Sequence, residues 1–167
     1  MPVNRAVLLT RISSFGNIIR EVFMQVDTSR FGIIEVGEKE LINFPWGIPG
    51  FEQLKSYVLL EYKNGPFQWL QSVEESSVAF VVCSPDFLGL EYTAPEARKK
   101  LIKLENSDDL VILNIVSFDR EKRAIRFHVK SPLLFNVAER IGYQWTMEAD
   151  ELKHYLMTPA GPAPQTG

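Results

Sequence analysis

Residues 43–73 read NFPWGIPGFEQLKSYVLLEYKNGPFQWLQSV, and two backbone devices here bracket one hydrophobic segment. Upstream, Phe44-Pro45-Trp46-Gly47-Ile48-Pro49-Gly50-Phe51 sets two prolines and two glycines among large apolar side chains. Pro49-Gly50 suits the centre of a type II turn, because Pro presets φ and Gly accepts φ > 0 without a Cβ clash. Downstream, Asn64-Gly65 predicts a tight type I′ hairpin, since both residues tolerate left-handed geometry. Between them, residues 57–63 and 67–73 read as two strands. In the second, Phe67, Trp69 and Val73 share one face and Gln68, Leu70 and Ser72 the other, the period of two expected of a strand. The stretch therefore predicts a rigid, apolar surface loop feeding a hairpin. A loop this hydrophobic either folds onto its own core or is offered to a partner.

Working outward, the rest of the chain is also written in short strands. Residues 25–28, 32–36 and 41–44 alternate or run apolar, with a turn at Gly37-Glu38-Lys39-Glu40. Residues 78–83 and 110–118 are continuous apolar runs, as for strands covered on both faces. In residues 124–131, Ile125, Phe127 and Val129 alternate with Arg126, His128 and Lys130, which predicts an inward apolar face and an outward basic one. Residues 133–137 and 140–145 complete the β content. Residues 95–103 read as a short helix with Pro in its first turn and cations near its end, and residues 148–157 as a last helical turn or two. Nine or ten short strands, with a turn roughly every 8–12 residues, predict a mostly β, antiparallel barrel-like single domain with one or two short helices.

The two termini read differently. In residues 1–23 the run Ala6-Val7-Leu8-Leu9 ends at Thr10-Arg11, too short for a secretory signal. Ile12, Phe15, Ile19 and Val22 have helical spacing. The expectation is a poorly ordered extension over 1–23, such as a misassigned start would add, a β domain over 24–157 and a disordered tail over 158–167, where three prolines meet no large apolar residue.

A resemblance becomes specific at several points. Thr28-Ser29-Arg30-Phe31-Gly32, Phe44, Gly47-Ile48-Pro49-Gly50-Phe51-Glu52, Phe67-Gln68-Trp69-Leu70-Gln71-Ser72, Ala79-Phe80-Val81-Val82 before Pro85, and Lys130-Ser131-Pro132-Leu133-Leu134-Phe135-Asn136 follow one another, with Arg140, Gly142 and Gln144 after them. In that order and spacing, over roughly residues 24–144, the chain resembles the FliW family of flagellar assembly factors. It departs at Trp46, where the family often has a polar residue, and over residues 146–157. The resemblance implies a small β-rich binding protein, not an enzyme, that works by partner switching. Flagellin would occupy it until export; once free it would sequester CsrA, an RNA-binding translational repressor, and relieve flagellin translation. It also implies a cytoplasmic protein, monomeric alone, with no cofactor, no direct nucleic-acid contact and no membrane contact.

Composition agrees with a binding module. The 167-residue chain is 46% hydrophobic and 23% charged, and its formal charge is -3. Residues 24–167 hold 15 basic against 20 acidic residues, a mildly acidic surface that would steer a basic partner. The single cysteine, Cys83, excludes an internal disulfide framework and reads as a buried thiol in a reducing compartment. No run reaches the roughly 20 apolar residues of a membrane span.

Catalysis needs a nucleophile, a base and an orienting partner, or a metal. Only His128 and His154 are available as histidines; Glu151 beside His154 makes no metal signature by itself, and Gly47-Ile48-Pro49-Gly50 lacks the Lys-Ser/Thr of a phosphate loop. No catalytic, cofactor-binding or metal residue is therefore assigned. Phe44 and Phe51 adjoin strands and read as plugs of a barrel end. Trp46 and Ile48 at the loop tip are the candidate partner anchors, with Pro49 and Phe51 beside them. Trp69 is expected in the core with Leu70 and Gln71 outward, so the latter two join the candidate surface. Asn136 and Arg140 are either a polar contact or a turn-stabilising pair. The alternative function is an RNA-binding barrel using Arg120, Lys122, Arg123, Arg126, His128 and Lys130 for phosphates. That reading is weakened by Phe127 facing away from the basic side.

Overall fold

The computed structural model describes residues 5–12, 18–61 and 63–158, those up to Glu21 through their backbone alone. Strand β1 (Arg5–Ile12) pairs antiparallel with β2 (Ile18–Thr28), which pairs with β3 (Gly32–Gly37). There follow β4 (Leu41–Asn43), β5 (Ser56–Glu61), β6 (Phe67–Ser72), β7 (Ala79–Cys83), the short β8 (Glu91–Tyr92) and helix α1 (Glu96–Leu101). The chain ends with β9 (Leu110–Asp119), β10 (Ala124–Phe127), β11 (Leu133–Asn136), β12 (Ile141–Gln144), α2 (Ala149–Tyr155) and β13 (Leu156–Met157).

Seven strands close on themselves in the order β9-β11-β12-β4-β5-β6-β7, with β7 returning to β9 through Val81↔Val116. The ring is antiparallel except between β12 and β4, which run parallel at Ile141↔Asn43. Closure removes the free edges that an open sheet would carry. Strand β10 stands outside the ring on β9. The mostly β barrel expected from the strand pattern is the observed architecture.

Three apolar clusters hold it together. Inside the ring, Phe44, Tyr57, Leu70, Val82, Leu113 and Phe135 are buried together, with Leu59, Leu70 and Phe80 in register across β5, β6 and β7. Outside one wall, Val58 and Val73 pack under Val26 and Val36 of the β2–β3 hairpin. Outside another, α1, α2 and the β8–β13 pair cover Leu134 and Trp145. The continuous apolar runs of β7 and β9 follow from this double cover: Val82 faces the barrel while its neighbour Cys83 is equally buried on the other side.

This layering reverses one assignment of faces. Leu70 is the inward residue of β6, and Trp69 lies on the outer face under Phe31, ring centroids 5.9 Å apart, and the Arg30 guanidinium, 4.8 Å away. A period of two places residues 69 and 70 on opposite faces without saying which is the interior. Here the outer face has its own cover, so the large aromatic could sit there. The same cause moves Ile125: with β10 outside the ring it has no core to face and is exposed, as is Phe118 opposite it.

Two local expectations also change. Residues 18–22 belong to β2 and pair with residues 8–12 of β1, where helical spacing had suggested a helix. Isolated helices this short are marginal, whereas β2 offers a paired edge already held by β3. The β5–β6 hairpin exists, but Lys63 takes the left-handed conformation (φ 47°) and Gly65 donates to the Lys63 carbonyl at 2.6 Å. Asn64-Gly65 is not a type I′ turn, because neither residue takes the positive φ that both of its central positions require. The tail after residue 158 lies outside the described residues.

Burial pushes the Tyr57 phenol up to about 12, and the Glu74 carboxylate adds to the rise. The folded value exceeds that of the unfolded chain, near 10, so the neutral phenol's contribution is complete below pH ~10 and is lost as pH climbs toward 12. A loss of about 2 kcal/mol is expected across that window. Urea denaturation at increasing alkaline pH checks it, with Tyr57→Phe flattening the slope; Cys83 and Tyr92, also raised by burial, would keep the remainder. An unchanged slope in the variant would reject the assignment.

Candidate partner-binding site

The loop between β4 and β5 is a run of three tight turns. Gly47 N–H donates to the Phe44 carbonyl at 2.8 Å, Phe51 N–H to Ile48 at 2.7 Å and Leu54 N–H to Phe51 at 3.0 Å. The middle turn is Ile48-Pro49-Gly50-Phe51 with Gly50 at φ 89°, the type II geometry that Pro-Gly dictates. The Glu52 carboxylate accepts from Gly50 N–H at 2.8 Å. That bond, with the Glu52 amide, holds its carboxyl below the usual carboxylate range.

These turns sort the loop's apolar residues. Phe44 is buried edge-on between Tyr57 and Phe135, at 5.2 and 5.7 Å, and Phe51 packs on Phe80 at 5.2 Å; both plug the barrel, which takes Phe51 off the candidate contact surface. Ile48 is 2% exposed, so it belongs to the core and is no anchor. Trp46 is 47% exposed. One edge of its ring meets Tyr143 of β12 at 5.5 Å and 82°. Tyr143 is held in turn by Arg98 of α1, which donates to its hydroxyl at 3.2 Å. The result is a fixed indole beside a shallow cleft lined by Gly47, Pro49, Glu52, Tyr143 and Thr146. An aromatic face next to an ionised carboxylate suits an apolar or cationic group of a partner.

The other candidates are placed elsewhere. Leu70 is inside the barrel. Gln71 is buried, and its amide donates to the carbonyls of Ser72, Ser76 and Val78, closing the β6–β7 turn. Asn136 is buried too: it donates to the Ile102 and Lys103 carbonyls and accepts from the Ala138 and Glu139 amides, tying α1 to the β11–β12 turn. Arg140 is exposed at φ 56° and donates to the Glu38 carbonyl at 2.8 Å. Asn136 and Arg140 are therefore turn residues. Gln71 reads as a surface polar group from sequence because the carbonyls it satisfies belong to a turn with no sequence signal of its own; for Asn136 and Arg140 the turn-stabilising alternative is the one observed. Tyr143, Arg98 and Glu52 were not singled out; only Glu52, two residues beyond the Pro-Gly turn, carried a local signal.

The domain model of the FliW protein family matches residues 25–156 of this chain. The chain belongs to the FliW family. Flagellar assembly factor FliW of Caldicellulosiruptor saccharolyticus is 33% identical over 130 residues, 75% of this chain and 86% of that protein. The FliW of Clostridium kluyveri is 34% identical over 131 residues, 77% and 90% of the two chains. A crystal structure of the flagellar assembly factor FliW superposes with a TM-score of 0.68 at 28% identity, covering 75% of this chain and 89% of that one. The family match runs from residue 25 to residue 156, through α2 and past the point near Gln144 where the motif resemblance stops. This is a flagellar assembly factor by family.

Other chemistry finds little support on this FliW fold. Ser117 Oγ and His128 Nε2 are 2.9 Å apart at the rim of a cleft that Arg30, Pro49 and Trp69 also line. No carboxylate among the described residues orients that imidazole, the third member a nucleophile–base pair requires. No group of three His, Cys, Asp or Glu among the described residues could hold a metal. His154 stacks edge-on against Tyr155. No helix among the described residues is long and apolar enough to cross a membrane.

Proposed function

We propose that this FliW acts as a cytoplasmic partner switch: it binds flagellin, and when flagellin is exported it sequesters the translational repressor CsrA, so that flagellin translation resumes. The protein works as a monomeric binding module over residues 24–157, without catalysis, cofactor or nucleic-acid contact. The observation that carries this reading is Trp46, half exposed yet pinned against Tyr143 on a loop stiffened by three turns. A rigid aromatic anchor loses little entropy on binding, which is why such residues dominate interface energies. Glu52 beside it and the net acidity of residues 24–167 favour a basic partner such as an RNA-binding protein. Competition between the two ligands requires only that they share, or are linked through, this small surface.

The test uses purified protein, flagellin and CsrA from one source, with each affinity measured by calorimetry. Trp46→Ala should weaken at least one partner by more than about 1 kcal/mol, and leave unfolding by urea nearly unchanged. Failure to bind either partner at micromolar concentration would defeat the switch. Full affinity of Trp46→Ala for both would move the site elsewhere.

A further inference from the structure

The feature left over by this reading is β10. It ends the large sheet and, among the described residues, pairs with β9 alone. Natural edge strands are blunted by proline, bulges or charge; β10 carries charge on one face only, and its other face presents Ile125, 54% exposed, opposite Phe118, 61% exposed. Phe127 follows on the same face, with the exposed Phe87 ring 6.5 Å away. The opposite face is basic. Arg126 points there with Ser117 and Asp119, bonding Asp119 at 3.0 Å, and Asp119 is already engaged by the Glu121 and Lys122 amides. Arg120, Lys122 and Arg123 crowd the exposed turn. From Asp119 to Lys130 five cations face two carboxylates, on a chain whose total is -3.

We propose that the free edge of β10 receives an extended segment of another protein in which apolar and acidic side chains alternate. An added strand would pair with the β10 backbone, and its alternate side chains would fall on opposite faces. Its apolar set would cover Ile125 and Phe127, and its acidic set would meet Arg126 and the cations of the turn. A nucleic acid fits less well. Bases and phosphates need aromatics and cations on one side, and β10 puts them on two. The site is separate from Trp46 and does not depend on the role proposed there.

The test is fluorescence anisotropy of the full chain with a labelled octapeptide alternating Glu and Val. A block isomer of the same composition and a single-stranded oligouridylate serve as competitors. The alternating peptide should bind about tenfold tighter than the block isomer, and amide exchange over Ala124–Phe127 should slow in its presence. Arg123→Glu with Arg126→Glu should weaken it about tenfold. Ile125→Lys, which leaves the Arg126–Asp119 pair intact, should do the same if the double variant proves unfolded. Trp46→Ala should leave peptide binding unchanged, which separates failure here from failure of the partner switch. Absence of peptide binding, equal binding of the two isomers, unaltered exchange over β10, or retention of the oligonucleotide in place of the peptide would overturn the proposal.

Discussion

Gly142→Ala is expected to lower the stability of the protein by about 3 kcal/mol, the upper range for overpacking a closed core. Gly142 lies on β12 opposite Phe135 of β11. A Cβ there would come within 2.4 Å of Phe44 Cζ and 2.7 Å or less of both Cε atoms. Real Cβ atoms do not approach so closely, and the ring has nowhere to go. Phe44 is fully buried, with Tyr57 on one side and Phe135 on another. The missing side chain thus leaves the space that a plug from the loop fills. Urea denaturation should show a lower midpoint at unchanged slope, and thermal unfolding a fall of roughly 10 °C. Phe44→Leu, which removes the distal ring atoms, should recover part of the loss in the double variant, with a coupling of at least about 1 kcal/mol. Wild-type stability for Gly142→Ala would show that the plug does not rest on β12.

The second large effect is expected at Gly47. Its φ of 72° costs an alanine about 1–2 kcal/mol. Its Cβ would also meet the Glu52 backbone, 2.5 Å from Cα and 2.7 Å from the carbonyl oxygen. Backbone cannot rotate aside as a side-chain tip can, so the first turn must open and release Trp46 from Tyr143. Gly50→Ala is the control, since Gly50 is also left-handed, at φ 89°, but no atom lies within 4 Å of its Cβ. Gly50→Ala should cost about 1 kcal/mol, and Gly47→Ala about 3 kcal/mol together with the affinity that depends on Trp46. Equal costs at the two positions would refute the close approach and, with it, the rigidity claimed for the anchor.

Much of this architecture was legible in order along the chain. The ten strands from residue 25 onward read as β segments lie where their alternation or apolar runs put them, and both short helices begin where Pro95 and Glu148 allow. The Pro49-Gly50 turn is as its chemistry requires. These features are local: a period of two, a fixed φ, or a missing Cβ acts within a few residues of itself.

What stayed illegible depends on distant partners. Trp69 and Leu70 exchanged faces because the β2–β3 hairpin, whose Phe31 lies far earlier in the chain, covers the outside of β6. Ile48 and Trp46 read alike as tip residues, and only the closed barrel beneath the loop sent one inward while Tyr143 and Arg98 pinned the other. Asn136 stood open between a contact and a turn role until the carbonyl of Ile102, far along the chain, claimed its amide, while Gln71 looked outward until the carbonyls of the β6–β7 turn took it.

Taken by itself, the order of residues was enough to set the strand segments, the turn-forced loop and the family, because each rests on short-range backbone preference or on a motif. Inside against outside, and anchor against plug, were settled by ring closure: burial is a property of how strands from separate parts of the chain enclose a space, and no window of neighbouring residues contains that information.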